Sequence, residues 1–451
     1  MQIEELYATR VYPAMSHPLS DPAVSVVAAM SGGLAARHPA DARILEIGCS
    51  SGLNLIPLAL RWPASRFVGM DLSGPSIVTA RELAAAAGVS NIEFHAADLR
   101  DFEPGGGGFD CIIAHGFLSW VPADVQAALF AICRKHLTPA GIATISFNLA
   151  CGWRPRFPVI EKVRAIQQVG AVDDMSALAI LRSVTAPDSP ELAIIDDMLA
   201  KGPAILAFDD FGPINDPWSL DRFLQTAAAA GLLWLGESTP AENQFARIDP
   251  QLVADLLRRH AADPVAFLHA VDDAAGRTFR SAVVCRDDAP LEASNAPERV
   301  FEWSVRAGPR PAELEDTPLF QAIASFAPAC VPLDEVLRAM PGCDRREVAR
   351  RVGVGIASGW ILPRIEPVRF DAEPPLRPLL NPFRLECARR GLPLVDIWHQ
   401  PCSFPAGHYR VLAAMDGSLD VGGLAAFSSG HCPELAFEPW LRHLAGRGMF
   451  S

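Results

Sequence analysis

Several features are scarce or missing in this chain. Only Lys135, Lys162 and Lys201 among its 39 basic residues are lysines, and the formal charge is −13. That balance repels phosphate backbones and argues against nucleic acid as the main partner. The ten cysteines run from Cys49 to Cys432 without a C-x-x-C, which excludes a zinc ribbon. A disulfide scaffold would be shorter and denser in cysteine. His399-x-x-Cys402, His408 and His431-Cys432 lie near one another in sequence, but no second pair matches them, and no metal is expected. No apolar run approaches the roughly 18 residues that span a bilayer, so no membrane span is expected. The opening residues MQIEELYATR are acidic and lack a basic segment followed by an apolar one. They do not read as a secretory signal, and a cytoplasmic protein with reduced thiols is expected.

What is present can bury a large core. Half of the 451 residues are apolar and a fifth are charged, which excludes disorder as the overall state and suits two or three domains. Strand and helix signals alternate from the start. Strands are predicted at 42–47, 66–70, 92–96 and 109–114. A turn follows at Thr138–Gly141, then a fifth strand at 141–147. Helices are predicted through Leu60 and over 76–87 and 125–136. This alternation implies a parallel sheet with right-handed crossovers.

Residues of about 155–217 read as a helical, acidic insertion. A helix at 218–231, a sixth strand at 232–236, one or two helices over 249–275 and a seventh strand at 279–285 close the pattern. The polar stretch Asp287–Pro297 is the expected boundary between a first domain, 1–290, and a C-terminal α+β domain, 298–451. Helices at 318–326, 333–340 and 345–358 with a short strand at 360–363 suggest a winged-helix-like unit there. The expected class is α/β, a Rossmann-like seven-stranded sheet with a helical insertion.

The first strand ends in an acid and runs into Glu46-Ile47-Gly48-Cys49-Ser50-Ser51-Gly52. Glycines let the main chain turn sharply and approach a ligand, and the helix start offers free amides. A dinucleotide oxidoreductase loop needs glycine at 50 and 53, where Ser50 and Leu53 stand. The spacing instead fits the acid-x-G-x-G-x-G loop of methyltransferases with Ser50 in place of the middle glycine. Acids also close the next two strands. Asp71 can accept the hydroxyls of a ribose, and Asp98, beside Leu99, can accept from an adenine amine.

The segment resembles the class I S-adenosylmethionine-dependent methyltransferases. It is most similar to those with a methyltransferase regulatory domain, a group that includes bacterial lysine methyltransferases of outer-membrane proteins. The resemblance rests on Tyr12-Pro13 and His17-Pro18, LEIGCSSGLNLIPLAL from Leu45, FVGMDLS from Phe67, DCIIAHGFLSWVP from Asp110 and SFNLACGW from Ser146. It extends more weakly through 207–237, 277–286 and the stretch from Arg410. It implies that Glu46, Gly48, Gly52 and Asn54 line the methionine end of the cofactor. Asp71 would hold the ribose, Asp98 and Leu99 the adenine, and His115 and Gly116 the transferring methyl. Cys49 and Leu72 belong to the same cofactor-binding set. The chain departs from the family pattern at Ser50-Ser51 (usually Gly-Asp), at Phe147 and Ala150-Cys151 (usually Tyr and Tyr-Pro), and at Phe208-Asp209 (usually His-Glu).

Methyl transfer from a sulfonium is an in-line displacement, so the protein must orient donor and acceptor and let the acceptor lose a proton. Tyr12, His115 and Asn148 are the candidate orienters. Trp120 would wall the site or contact an ammonium through its ring. Only three tyrosines occur, and Tyr7 and Tyr12 precede the first strand, which makes Tyr12 a lid candidate. The expected cofactor is S-adenosylmethionine, with S-adenosylhomocysteine as product. The expected partner is a protein, peptide or small-molecule acceptor, and a homodimer is one expected assembly. A protein or peptide amine is the leading acceptor. The alternatives are a small molecule or natural-product peptide, and a non-catalytic cofactor-binding scaffold or sensor.

Overall fold

A computed structural model describes residues 12–13, 15–239, 248–292, 297–309 and 317–451. Tyr7 and part of the expected linker, 293–296, lie outside the described residues. Seven strands form the central sheet: β1 Arg43–Ile47, β2 Arg66–Asp71, β3 Ile92–Ala96, β4 Phe109–Ala114, β5 Leu137–Asn148, β6 Leu232–Glu237 and β7 Phe279–Arg286. Their order is β3-β2-β1-β4-β5-β7-β6. The all-parallel expectation is corrected at one strand: β7 pairs antiparallel with both β5 and β6. The two helices Pro250–Arg259 and Pro264–Ala275 bridge β6 and β7.

The turn expected at Thr138–Gly141 does not form. β5 begins at Leu137, and its pairing with β4 jumps from Phe109↔Leu137 to Cys111↔Ile142. The extra residues make a bulge, where Pro139 costs no ladder bond. A Cβ on Gly141 would sit 2.7 Å from the Phe109 carbonyl oxygen, so only glycine lets the strands close there.

Alternate strand residues serve opposite faces, as the period of two requires. Ile44, Phe67, Cys111 and Ile142 face one core with helices Pro22–Ser31, Leu55–Arg61 and Gly74–Ala86. Leu45, Val68, Ile112 and Ala143 face the other with helices Ala123–His136 and Leu220–Ala229. The insertion contributes helices Phe157–Gly170, Asp174–Val184 and Pro190–Lys201, which bury Val163, Leu178 and Met198 in a core of their own.

The C-terminal region has two parts. Helices Pro318–Ala324, Leu333–Arg338 and Arg345–Ala357 pack with an antiparallel sheet of β8 Ser304–Ala307, β9 Val331–Pro332 and β10 Ile361–Arg364. The sequence suggested only the last of these strands. Four further helices, from Pro382 to Gly446, follow. They share the first face's core: Phe383, Cys387, Leu412 and Leu441 cluster with Leu58, Trp62, Ile77 and Leu83. No helix among the described residues is long and apolar enough to cross a membrane.

Candidate active site

The carboxyl ends of β1 to β4 open into one crevice of about 230 Å³. The loop after β1 forms its edge with three left-handed residues, Gly48 (φ 78°), Ser50 (φ 47°) and Gly52 (φ 76°). Ser50 therefore keeps the backbone conformation that a glycine would take, although it carries a side chain. A Cβ on Gly48 would meet the Phe117 ring at 2.9 Å. One at Gly52 would meet Phe94, Ile56 and Ala80, so Gly52 serves helix-to-sheet packing and does not line the crevice. The amides of Gly48 and Cys49 both donate to the Met70 carbonyl, at 2.8 and 3.0 Å, which ties the loop to β2.

Asp71 ends β2 as expected. Its Oδ2 accepts from the Ser50 amide and its Oδ1 from the Ser73 amide, each at 2.8 Å. Burial raises its pKa. Glu46 is 3% exposed. Asn54 Nδ2 donates to its Oε1 at 2.6 Å, while Oε2 is buried without a protein partner. Burial pushes the Glu46 carboxyl up to about 8, against the pull of the Asn54 bond.

His115 follows β4 and lines the crevice, with Gly116 beside it. The Gly116 amide donates to Ser146 Oγ at 2.7 Å. His17 stacks on His115 with ring centroids 4.3 Å apart. Burial lowers the pKa of both imidazoles, that of His17 to about 4, so the pair is neutral near pH 7. Tyr12 and Trp120 line the same crevice. Trp120 also meets the edge of Trp153, with centroids 5.8 Å apart.

Asn148, like Gly52, needs correction, whereas Asp98, Cys49 and Leu72 do line the crevice. Asn148 is 4% exposed and does not line the crevice; its amide side chain donates to Asn215 Oδ1 at 3.0 Å behind it. Asp98 lines the rim, but its carboxylate is held by the Arg100 guanidinium, with Nε–Oδ1 at 3.0 Å. That bond, foremost, keeps its pKa low. The Cys49 thiol points into the core, close enough to Gly69 that a Cβ there would sit 2.8 Å from its sulfur; burial raises its pKa. Leu72 is 48% exposed at the rim. Leu99, by contrast, is buried and shares the crevice wall with Phe117, Val121 and Val125.

Sequence reasoning did not assign roles to three residues at this site. Asp209 and Phe208 reach the crevice from the insertion. The Tyr12 hydroxyl lies 3.5 Å from Asp209 Oδ1, and its ring meets Phe208 edge-on at 5.3 Å. Burial raises the Asp209 carboxyl to about 6, opposed by Lys201. The departure from the family pattern at Phe208-Asp209 was the available signal. His399 comes from the C-terminal region, and its Nε2 lies 2.7 Å from Asn54 Oδ1. Among the described residues, no group of three or more His, Cys, Asp or Glu could hold a metal ion.

Residues 44–141 match the family described as a methyltransferase domain, and residues 202–286 the one described as a predicted methyltransferase regulatory domain. An uncharacterized protein of Rickettsia prowazekii (strain Madrid E) is 29% identical over 296 residues, covering 61% of this chain and 52% of that protein. A trans-aconitate 2-methyltransferase of Azoarcus sp. (strain BH72) is 33% identical over 114 residues, 25% of this chain and 42% of that one. The chain thus spans about half the length, or less, of these curated relatives. PKMT2 from Rickettsia typhi superposes with a TM-score of 0.79 at 18% identity over 96% of each chain. Its complex with AdoHcy gives 0.76 at 18% identity, over 94% of this chain and 92% of that one. At this identity the likeness establishes the fold. This chain therefore carries a match to a methyltransferase domain and, after it, a match to a predicted methyltransferase regulatory domain, on the Rossmann-like methyltransferase fold.

Proposed function

We propose that the crevice binds S-adenosylmethionine and that the chain transfers its methyl group to an amine of a protein or peptide, leaving S-adenosylhomocysteine. The observation that carries this reading is the Glu46 carboxylate, buried in the crevice wall with one oxygen fixed by Asn54 and the other unpartnered. A buried carboxyl oxygen without a partner is costly, and the ammonium at the cofactor's amino-acid end is a donor that suits it and favours the ionised form over the protonated one that burial favours. Asp71 and the left-handed loop offer a polar edge suited to a ribose. Leu99, Phe117, Val121 and Val125 offer an apolar slot suited to an adenine. The AdoHcy held by the structural neighbour PKMT2 supports the same cofactor. When bound, this cofactor supplies a methyl group on a sulfonium, open to in-line displacement.

The protein's own residues then have to deprotonate and orient the acceptor. A lysine amine has a pKa near 10.4 in water. The half-buried Asp209, with its carboxyl raised to about 6, is a stronger base than an ordinary carboxylate and faces the same crevice. Tyr12, Phe208 and Trp120 offer aromatic walls that suit a cationic amine. The neutral His17–His115 pair adds no repelling charge. The C-terminal region, 298–451, is proposed to control access to the crevice.

The test is calorimetric titration with S-adenosylhomocysteine, followed by incubation with methyl-labelled S-adenosylmethionine and a lysate of the native organism. Binding, and label on a polypeptide amine identified by mass, is the expected result. No binding overturns the cofactor reading, and label confined to small molecules overturns the protein acceptor.

A further inference from the structure

His399 stands 345 residues beyond Asn54 in sequence and touches it in space. It is wholly buried, and its backbone is left-handed at φ 64°, a conformation that costs a non-glycine residue about 1 kcal/mol. The surrounding loop is braced to hold it there. Asp396 Oδ1 accepts from the amides of Trp398 and Gln400 at 2.9 and 2.8 Å, and Arg447 Nη2 donates to Asp396 Oδ2 at 2.7 Å. The Ser16 hydroxyl donates to the His399 carbonyl at 2.9 Å, and Arg61 Nη2 donates to the Ile397 carbonyl at 2.9 Å.

The chemistry of Asn54 follows from its neighbours. The His17 amide can only donate, and it points at Asn54 Oδ1 at 2.8 Å. That atom is therefore the oxygen, and His399 Nε2, aimed at the same atom, carries the proton. The Asn54 amide nitrogen is left to face Ser20 Oγ at 3.0 Å and Glu46 Oε1 at 2.6 Å. The Glu46 carboxylate is thereby held with its second oxygen free. His399 does not line the crevice itself.

We propose that His399 is a positioning residue for the amino-acid end of the cofactor: through Asn54 it fixes the Glu46 carboxylate and so couples the C-terminal region to cofactor affinity. This rests on reading the crevice as an S-adenosylmethionine site.

The test titrates the full chain with S-adenosylhomocysteine as wild type, His399→Ala and His399→Gln. The alanine variant is expected to bind about tenfold more weakly, because the buried Asn54 Oδ1 keeps the His17 amide but loses the second donor that fixes its side chain. The glutamine variant, whose amide can donate to the same oxygen, is expected to bind within about threefold of wild type. With any acceptor found, His399→Ala should raise the KM for S-adenosylmethionine and leave kcat at saturation within about twofold. Absence of wild-type binding sinks the crevice reading and this proposal together. Wild-type binding with unchanged affinity in His399→Ala sinks this proposal alone, as does a fall in kcat without a change in affinity or a failure of His399→Gln to rescue. Should His399→Ala not fold, amide hydrogen exchange of the wild type decides. Saturation with S-adenosylhomocysteine should slow exchange in residues 396–400, and unchanged exchange there overturns the proposal.

Discussion

Asp71 holds two backbone amides at once, with Ser50 N–H on Oδ2 and Ser73 N–H on Oδ1, both at 2.8 Å. One carboxylate thus closes the loop after β1 onto the end of β2. An amide side chain cannot replace it, because one of its two ends would present N–H to N–H. Asp71→Asn is therefore expected to behave almost as badly as Asp71→Ala. Each should lower stability by about 1–3 kcal/mol and reduce S-adenosylhomocysteine binding below detection. Thermal melting and calorimetry check both, and retained affinity in Asp71→Asn would show that the loop does not depend on this grip.

Glu46 makes a prediction about pH. Burial raises its pKa from 4.5 to about 8. Between those values the folded chain holds a proton there that the unfolded chain has released. Stability from this group is thus full below about 4.5 and is lost as the pH rises toward about 8. Glu46→Gln removes that titration. The variant should show a flatter stability–pH curve than wild type across this window, measured by denaturant unfolding at several pH values. It should also lose most of its affinity for S-adenosylhomocysteine, since its second terminal atom becomes a donor facing an ammonium. Identical curves for the two proteins would refute the assigned titration.

The sheet was legible where the strand is a short, largely apolar run set between helical patterns. β3 and β4 match their predicted residues, and β1 and β2 shift by a single end residue. β5 was misread because Pro139 and Gly141 mark turns in most contexts, and here they mark a bulge instead. β8 is four residues long and contains an arginine, so no alternation signalled it. The same division holds at the site. Glu46 and Asp71 were legible because strand ends in a parallel sheet converge on the ligand crevice. Asp209 and His399 were not, because the helical insertion and the C-terminal loop bring them in by packing that local pattern does not encode. Asn148 was misassigned for the converse reason: it stands at a strand end, as the other site residues do, but its side chain faces Asn215 and not the crevice.

Asp209 should control the pH dependence of the proposed reaction. Its carboxyl is raised to about 6, chiefly by burial, and only the ionised form can take a proton from an acceptor. At saturating cofactor, the rate with an amine acceptor is expected to rise through about pH 6. Asp209→Asn should remove that inflection and lower kcat on the order of 100-fold. Tyr12→Phe, which removes a hydroxyl 3.5 Å from Asp209 Oδ1, should cost about threefold or less. An unchanged pH profile in Asp209→Asn would assign the proton to another group.

The methyltransferase half should not stand alone, although its sheet is complete by Arg286. Asp21, which caps helix Pro22–Ser31 by accepting from the Ala23 amide, is buried. Burial pushes its pKa up, but Arg364 and Arg61 more than offset this and hold it well below the usual carboxylate range. Arg364 Nη1 lies 3.0 Å from Asp21 Oδ2, and both side chains are sealed from solvent. Ending the chain at Asp288 removes Arg364 and also strips Phe383, Cys387 and Met415 from the core over Leu58 and Ile77. Breaking one partner from a buried pair costs about 3–5 kcal/mol, and the uncovered apolar face adds to that loss. The fragment 1–288 is expected to aggregate and to bind no S-adenosylhomocysteine. In the full chain, Arg364→Met should lower the melting temperature while Arg345→Met, at an exposed pair with Asp334, should not. A monomeric fragment that melts cooperatively and binds the ligand would show that the two halves are energetically separate.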